Sequence, residues 1–229
     1  TGDDDYFCHK AYVLRERQGL SEAPAALLWL KHHIGDVDDM GYRSVWAMLR
    51  ATPNLYVFRP ADAVEVAESW EAAMNITDAP SVLSLSRQGT PTLRNESSSL
   101  NKTLMGGYVL REPDGKRDVT LIATGTEVAL AVEAAEQMAE KDIKAAVVSL
   151  PCWELFEQQD LAYRRKVLGR APRIGIEAAS GFGWDRYTSD PDAFIGMKSF
   201  GESAPAPELY AHFGITVEHI ITMVKELTI

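Results

Sequence analysis

The chain has 229 residues, of which 46% are hydrophobic and 24% are charged. This composition is typical of a globular protein and excludes a disordered chain, a collagen and a coiled coil. The 33 acidic side chains outnumber the 23 basic ones and give a formal net charge of −10, which repels nucleic-acid phosphates, so we expect no nucleic-acid partner.

The sequence contains no apolar run near the roughly 20 residues that span a bilayer, and its first residues lack the pattern of a signal peptide. We therefore expect no membrane partner and a cytoplasmic location. The two cysteines, Cys8 and Cys152, form no Cys-x-x-Cys pair. This spacing predicts neither a zinc site nor a disulfide scaffold, and it fits a reducing compartment.

The first part of the chain contains three continuous apolar runs of strand length, at Ala25 to Leu30, Leu55 to Phe58 and Ser81 to Ser86. Such runs predict parallel strands buried on both faces. Helices are predicted between them, over 44–51 and 63–74. Asp62 is placed to cap the second of these helices, and Pro60 ends the strand before it.

The composition changes between Gly89 and Lys116, where Ser, Asn, Thr, Pro and Gly are frequent. This pattern predicts a linker between two α/β units. We expect the first unit and the start of the linker to occupy residues 1–103, and the second unit to occupy residues 104–229.

The second unit begins with a strand, a turn, a helix and a strand: VTLIA, TGTE, a helical repeat over 128–139, and AAVVSL. This order predicts a right-handed βαβ crossover. Two more strands are predicted over 173–178 and 193–197. A terminal helix is predicted over 216–227, with Thr216 as its N-cap. The fold class is therefore α/β, with mainly parallel sheets in both units.

Three short motifs in the second unit have structural and functional interpretations. The TGTE turn, Thr124 to Glu127, lies where a strand meets a helix and could bind an anion, but a turn of this kind is more often purely structural. The aromatic clusters PCWELF and FGWDRY are more typical of core or interface packing than of a binding site.

The densest polar cluster is KHHIGDVDDMGYR, Lys31 to Arg43, directly after a predicted buried strand. Loops at the carboxyl ends of parallel strands line the ligand crevice, so this cluster could bind substrate or exchange protons. A solvated loop is an equally good interpretation. A metal site is also possible there, but the spacing of its histidines and aspartates matches no strong metal template, and we predict no metal site in this chain.

Arg87 ends the predicted strand SVLSLS, again at the edge of the crevice. A guanidinium there offers a planar fork that suits a phosphate or a carboxylate, and it is notable in an acidic protein. This favours an anion site. A surface ion pair remains the alternative.

From Arg50 to Ile229 the chain resembles bacterial transketolases over several long strings: LRATPNLYVFRPADAVEVAESWE, PSVLSLSRQ, DVTLIATGTEV, VVSLPCWELF, PRIGIEAASGFGWDRY and FGESAPAPELYAHFGIT. The resemblance implies an enzyme that uses thiamine diphosphate and Mg²⁺ to move a two-carbon ketol unit between phosphosugars, working as a homodimer. It implies a partial pyrimidine-binding domain followed by a transketolase C-terminal domain. The Mg²⁺ and diphosphate ligands would belong to a domain upstream of Thr1, so we expect the chain alone to lack activity.

The resemblance also implies roles for individual residues. Arg87 matches an arginine that contacts the substrate phosphate, and Asp39 matches an aspartate that contacts a hydroxyl of the donor sugar. The loop otherwise departs from the family pattern, because the family histidine falls on Lys31, beside His32 and His33. These two histidines are the candidates for the catalytic role. The candidates for stacking on the aminopyrimidine ring of the cofactor are Tyr6 and Phe7.

Three explanations of the amino-terminal part remain open: a fragment of a full enzyme, one half of a split enzyme that needs a separate cofactor-binding subunit, or an incorrectly assigned sequence there. Other functional interpretations are a related thiamine enzyme, such as deoxyxylulose phosphate synthase or the β-subunit of a 2-oxo acid dehydrogenase, and a non-catalytic dimerisation module. Either the Calvin cycle or the pentose phosphate pathway would use the predicted activity.

Overall fold

The computed structural model describes residues 10–14, 45–86, 88–94, 100–199 and 201–228. The elements of the first unit are β1 Lys10–Leu14, α1 Val45–Ala51, β2 Tyr56–Phe58, α2 Ala63–Asn75 and β3 Ser81–Leu85. The strands of the second unit are β4 Tyr108–Arg111, β5 Val119–Ala123, β6 Ala145–Ser149, β7 Arg173–Ile176 and β8 Phe194–Ile195. Its α-helices are α3 Glu127–Ala139, α4 Trp153–Glu157, α5 Leu161–Leu168, α6 Ala206–His212 and α7 Val217–Thr228. Two 3₁₀ turns, Lys102–Met105 and Trp184–Arg186, complete the described elements.

The first sheet has the order β1-β3-β2, with β2 parallel and β1 antiparallel to the central β3. Apolar side chains cover both faces of β2 and β3: α1 packs on Val57 and Val82, and α2 packs on Phe58 and Leu83. This two-sided burial explains why the sequence of these strands does not alternate between apolar and polar residues. The predicted strand over 25–30 lies outside the described residues.

The second sheet has the order β4-β6-β5-β7-β8. Four strands are parallel and the edge strand β4 is antiparallel, which confirms the predicted α/β class with mainly parallel sheets. Helices α3 and α7 cover one face through Leu121 and Val147. An aromatic cluster covers the other face, where Trp153 and Trp184 pack near Ile122.

The predicted linker over 89–116 is only partly irregular, which corrects the sequence-based expectation. Residues Tyr108–Arg111 form β4 and pair with β6, and a 3₁₀ turn precedes them. The turn ends at Gly106, whose φ is +73°. A side chain could not fit there, because a Cβ atom would lie 2.0 Å from the backbone nitrogen of Phe156.

The two predicted helix caps are confirmed. The Asp62 carboxylate accepts a hydrogen bond from the Glu65 backbone N–H at 2.9 Å, at the start of α2. The Thr216 hydroxyl accepts one from the His219 N–H at 3.3 Å, at the start of α7. Within the described ranges, no helix is both long enough and apolar enough to cross a membrane.

Candidate functional site at the junction of the two sheets

The carboxyl end of β2 is hydrogen-bonded to the carboxyl ends of strands in the second sheet. The backbone N–H of Arg59, directly after β2, donates to the Pro151 carbonyl at 2.8 Å, and the Gly125 N–H donates to the Arg59 carbonyl at 3.0 Å. Phe58 and Cys152 form an isolated antiparallel bridge. The strand ends of both units, where ligands of open α/β sheets bind, therefore meet at one junction.

The Arg59 side chain extends from this junction into the second unit. The chain runs from β5 to β6 on one side and then to β7 on the other side, which makes the carboxyl ends of β5 and β7 a topological switch point. Arg59 is fully buried there and donates to Glu127 at 3.1 Å and to Glu177. The Arg59 side chain belongs to the first unit, but it occupies the position in the second unit where a ligand usually binds.

Glu177 is the centre of this buried network. Arg50 donates to both of its carboxylate oxygens at 2.8 Å, and the Trp184 indole N–H donates at 2.7 Å. Burial alone would raise the pKa of Glu177, but the charges of Arg50 and Arg59 and these hydrogen bonds lower it to about 2. Glu177 is therefore ionised at neutral pH and holds two arginines of the first unit.

Glu127 binds the other side of the Arg59 guanidinium. It also accepts hydrogen bonds from the hydroxyls of Thr126 and Tyr210. Burial and the adjacent carboxylate raise the pKa of Tyr210, which keeps this hydroxyl a donor. Because the Gly125 N–H donates to the Arg59 carbonyl, the TGTE turn binds the first unit through its backbone and through Glu127, in agreement with its structural interpretation.

A second buried carboxylate, Glu65 of α2, joins the two units nearby. One oxygen accepts hydrogen bonds from the hydroxyls of Tyr108, at 2.7 Å, and Ser149; the other accepts one from the Ala61 N–H at 2.7 Å. Burial raises the pKa of Glu65, with a contribution from the neighbouring Asp62. The donors in these three contacts are neutral, whereas Glu177 accepts hydrogen bonds from two positively charged arginines.

Asp62 connects α2 with the chain that follows β3. One of its oxygens caps α2, and the other accepts a hydrogen bond from the Leu93 N–H at 2.9 Å. The Leu93 carbonyl accepts a hydrogen bond from Arg111 of β4 at 2.7 Å. Leu93, six residues after position 87, is thereby hydrogen-bonded to both units.

The sequence-predicted site residues lie outside the described residues: Tyr6, Phe7, His32, His33, Asp39 and Arg87. The structure describes the flanks of Arg87, where the Gln88 N–H donates to the Ser86 hydroxyl at 3.0 Å directly after β3. β3 pairs with β2, so position 87 follows the strand adjacent to the Arg59 junction. Among the described residues, no three His, Cys, Asp or Glu side chains are grouped so that they could hold a metal ion.

The buried network of Arg59, Glu127 and Glu177 was not predicted from the sequence, and neither was the buried Glu65. A usable signal was present for Arg59, because an arginine directly after a buried strand and directly before a proline is an unusual place for a solvated charge. Its acidic partners are distant in the sequence and gave no comparable signal.

Two family models match the chain in the order of the two units. The model described as "Transketolase, pyrimidine binding domain" matches residues 43–92, and "Transketolase-like TK C-terminal domain" matches residues 106–216. The chain belongs to the transketolase family. This confirms the resemblance stated from the sequence, including the part of the protein to which the chain corresponds.

Individual transketolases are similar to this chain over most of its length. A transketolase of Sinorhizobium medicae is 60% identical over 182 residues, which are 79% of this chain and 26% of that protein. The solved transketolase of Leishmania mexicana has a TM-score of 0.74 and 38% identity, covering 82% of this chain and 28% of the other. A Pichia stipitis transketolase in complex with sedoheptulose 7-phosphate has a TM-score of 0.75 and 37% identity over the same shares. The chain therefore spans about a quarter of the length of its transketolase relatives.

Within the transketolase architecture, the Arg59 network is a contact between two domains. Arg50 and Arg59 lie in the match to the pyrimidine-binding domain, whereas Glu127 and Glu177 lie in the match to the C-terminal domain. The C-terminal domain thus contacts the end of β2, and β2 is the neighbour of β3, the strand that Arg87 follows in the sequence.

Proposed function

We propose that this chain is part of a thiamine diphosphate-dependent transketolase, which transfers a two-carbon ketol unit from a ketose phosphate to an aldose phosphate. The observation that carries the proposal is the match to two successive transketolase domains, together with 60% identity to a transketolase. We place the boundary between the two domains at residues 103 and 104.

The proposed enzyme contains a diphosphate-binding domain in addition to the two domains of this chain. That domain would provide the ligands of Mg²⁺. It would lie either on the same polypeptide, in an enzyme that is a homodimer, or on a separate subunit. We propose that the enzyme is cytoplasmic. Tyr6 and Phe7 are proposed to contact the aminopyrimidine ring. Thiamine diphosphate, when bound, supplies the reactivity that cleaves and forms the carbon–carbon bonds.

The proposed substrate-binding residues are Arg87 and Asp39, with His32 and His33 exchanging protons or holding hydroxyls. Arg87 follows a buried strand whose neighbour β2 ends at the junction. A guanidinium at such a strand end can donate two parallel hydrogen bonds to a phosphate. The Pichia stipitis relative, solved with sedoheptulose 7-phosphate, supports a phosphosugar as the substrate class.

The proposed role of Arg87 is tested by Arg87→Ala in the intact enzyme. Loss of charge-assisted hydrogen bonds to the phosphate should raise KM for phosphorylated donors about tenfold or more. KM for a ketol donor without a phosphate should change little. Arg165→Ala, at an exposed arginine of α5, is the matched control and should leave both values unchanged. An equal loss with both donors would reject the phosphate-binding role.

Calorimetric titration with thiamine diphosphate and Mg²⁺ tests the wider proposal against a non-catalytic module. The titration is made on the chain alone and on the chain with a supplied amino-terminal transketolase domain. Binding only in the presence of that domain supports the proposal. Absence of binding in both cases supports the dimerisation module.

A further inference from the structure

The crevice at the carboxyl ends of β5 and β7 binds the Arg59 side chain through contacts that suit a guanidinium group. Its Nη1 donates to Glu177, and its Nη2 donates to Glu127 at 3.1 Å. The two carboxylates come from different elements of the C-terminal domain, since Glu177 directly follows β7 and Glu127 begins α3. A planar fork with two terminal nitrogens can bind both, whereas an ammonium group is a compact point charge.

Gly125 allows the backbone of the C-terminal domain to pack directly against this guanidinium. A Cβ atom at Gly125 would lie 3.0, 3.2 and 3.3 Å from the Nη2, Cζ and Nε atoms of Arg59, and the φ of Gly125 is +63°. A side chain at this position would therefore be strained and would press on the bound group. In the first domain, the Trp46 ring centre lies 5.5 Å from the Arg59 Cζ, which also favours a cation in this crevice.

Arg59 supplies one of the two positive charges in this buried network. Glu127 and Glu177 are fully buried, and the other arginine, Arg50, donates to Glu177. Without Arg59, the side-chain hydrogen bonds that the structure describes at Glu127 come from the neutral hydroxyls of Thr126 and Tyr210. A buried carboxylate without a cation is unfavourable, so an emptied crevice attracts a replacement cation.

The backbone at Arg59 is held by contacts that do not use its side chain. The Arg59 N–H donates to the Pro151 carbonyl at 2.8 Å, and the Arg59 carbonyl accepts from the Gly125 N–H at 3.0 Å. The preceding residue, Phe58, forms its bridge with Cys152. Truncation of the Arg59 side chain leaves these groups in place, and it therefore empties the crevice without removing its walls.

We propose that this crevice of the C-terminal domain is a binding site for a guanidinium ion and that Arg59 is its tethered ligand. A free alkylguanidinium ion binds there when the Arg59 side chain is removed, with its amino groups on Glu127 and Glu177 and packed against Gly125. The C-terminal domain thus recognises the first domain by the chemistry with which it would bind a small cationic ligand. In the original protein Arg59 fills the site, and added guanidinium compounds do not bind there.

The test is thermal unfolding of the intact protein carrying Arg59→Ala in the presence of ethylguanidinium, which replaces the atoms that the substitution removes. Ethylurea is the neutral planar control, and propylammonium is the cationic control without a fork. We expect a saturable rise in Tm with ethylguanidinium, of about 3–6 °C at ten times the half-saturating concentration, and no such rise with either control. No saturable rise, or an equal rise with ethylurea or propylammonium, would overturn the proposal.

The original protein and two double variants locate the bound ion. The Tm of the original protein should not rise with ethylguanidinium, and an equal rise there would place the effect outside the crevice. Glu127→Gln added to Arg59→Ala should weaken ethylguanidinium binding about tenfold or more, because it removes one of the two carboxylates. Glu133→Gln, at an exposed glutamate of the same helix, should leave the affinity unchanged. Equal affinities in the two double variants would contradict the proposed site.

A second measurement applies if Arg59→Ala does not fold by itself. The variant is then refolded from urea with each of the three compounds, and its circular dichroism is recorded. Folding with ethylguanidinium and with neither control supports the proposal, whereas folding with none of the compounds, or with all of them, rejects it. The Arg87 experiment measures KM values in the intact enzyme, so rejection here would leave the transketolase assignment standing.

Discussion

Arg59 and Glu177 form a buried ion pair between the end of β2 in one domain and the end of β7 in the other. Their side chains are 1% and 0% exposed. A buried ion pair is weak evidence of net stability, because desolvation opposes the attraction between the charges. Its clearer effect is on orientation, because an arrangement of the domains that separated Arg59 from Glu127 and Glu177 would lose both charge pairings.

Arg59→Met is expected to lower the free energy of unfolding by about 3–5 kcal/mol, because it leaves Glu127 and Glu177 buried without this cation. Denaturant unfolding of the intact protein measures the change. Arg59→Lys keeps the charge without the planar fork and should give an intermediate loss.

The control for this prediction is Arg164→Met, which removes the partly exposed pair with Glu157. A pair of that kind contributes up to about 1 kcal/mol. Equal losses at positions 59 and 164 would show that the buried network does not determine how the domains are held.

Glu65→Gln is expected to change how stability depends on pH. Burial raises the pKa of Glu65 above its ordinary value of 4.5, so the folded state holds this proton more tightly than the unfolded state. The contribution of Glu65 to stability is thus fully present below pH 4.5 and is lost as pH rises through the folded pKa. Because glutamine does not ionise, the variant should gain stability relative to the original protein as pH rises. Calorimetric melting over a pH series measures this.

Glu68→Gln, on the same helix, is the control with the opposite expected pH dependence, because the pKa of Glu68 is lowered and not raised. Burial opposes ionisation of Glu68, but Arg94 and Thr103 lower its pKa below 4.5. Its contribution is therefore present above pH 4.5 and is lost as pH falls through the folded pKa. The Glu68→Gln variant should lose stability relative to the original protein as pH rises. The same sign for both variants would contradict the assigned environments.

Asp62→Ala is expected to affect both stability and substrate binding. Loss of the α2 cap should cost about 0.5–2 kcal/mol. The Leu93 N–H also loses its acceptor, which loosens the segment downstream of Arg87 and should raise KM for phosphorylated donors about threefold or more. Steady-state kinetics and thermal unfolding of the intact enzyme give the two quantities.

Asp160→Ala is the matched control for Asp62→Ala, because it removes the N-cap of a different helix, α5. Asp160 accepts a hydrogen bond from the Tyr163 N–H at 2.7 Å at the start of α5. The stability loss should be similar to that of Asp62→Ala, with KM unchanged. If KM rises equally in both variants, the effect comes from general destabilisation and not from the segment after Arg87.

Several elements were predictable because their signals are local. The buried strands β2, β3, β5 and β6 appear as apolar runs in the sequence. The Asp62 and Thr216 caps depend on a backbone N–H only three residues further along the chain. Strand β4 was not predicted, because its residues become a strand only by pairing with β6, about forty residues later.

The sequence by itself determined the α/β class, the βαβ order at the start of the second unit and kinship with transketolases, because hydrophobic periodicity, capping residues and long shared strings are properties of neighbouring residues. Only the tertiary structure decided that Arg59 fills the crevice of the other domain. Its partners Glu127 and Glu177 lie 68 and 118 residues away along the chain. Burial and charge pairing over such separations depend on how the sheets meet, and no local pattern encodes that.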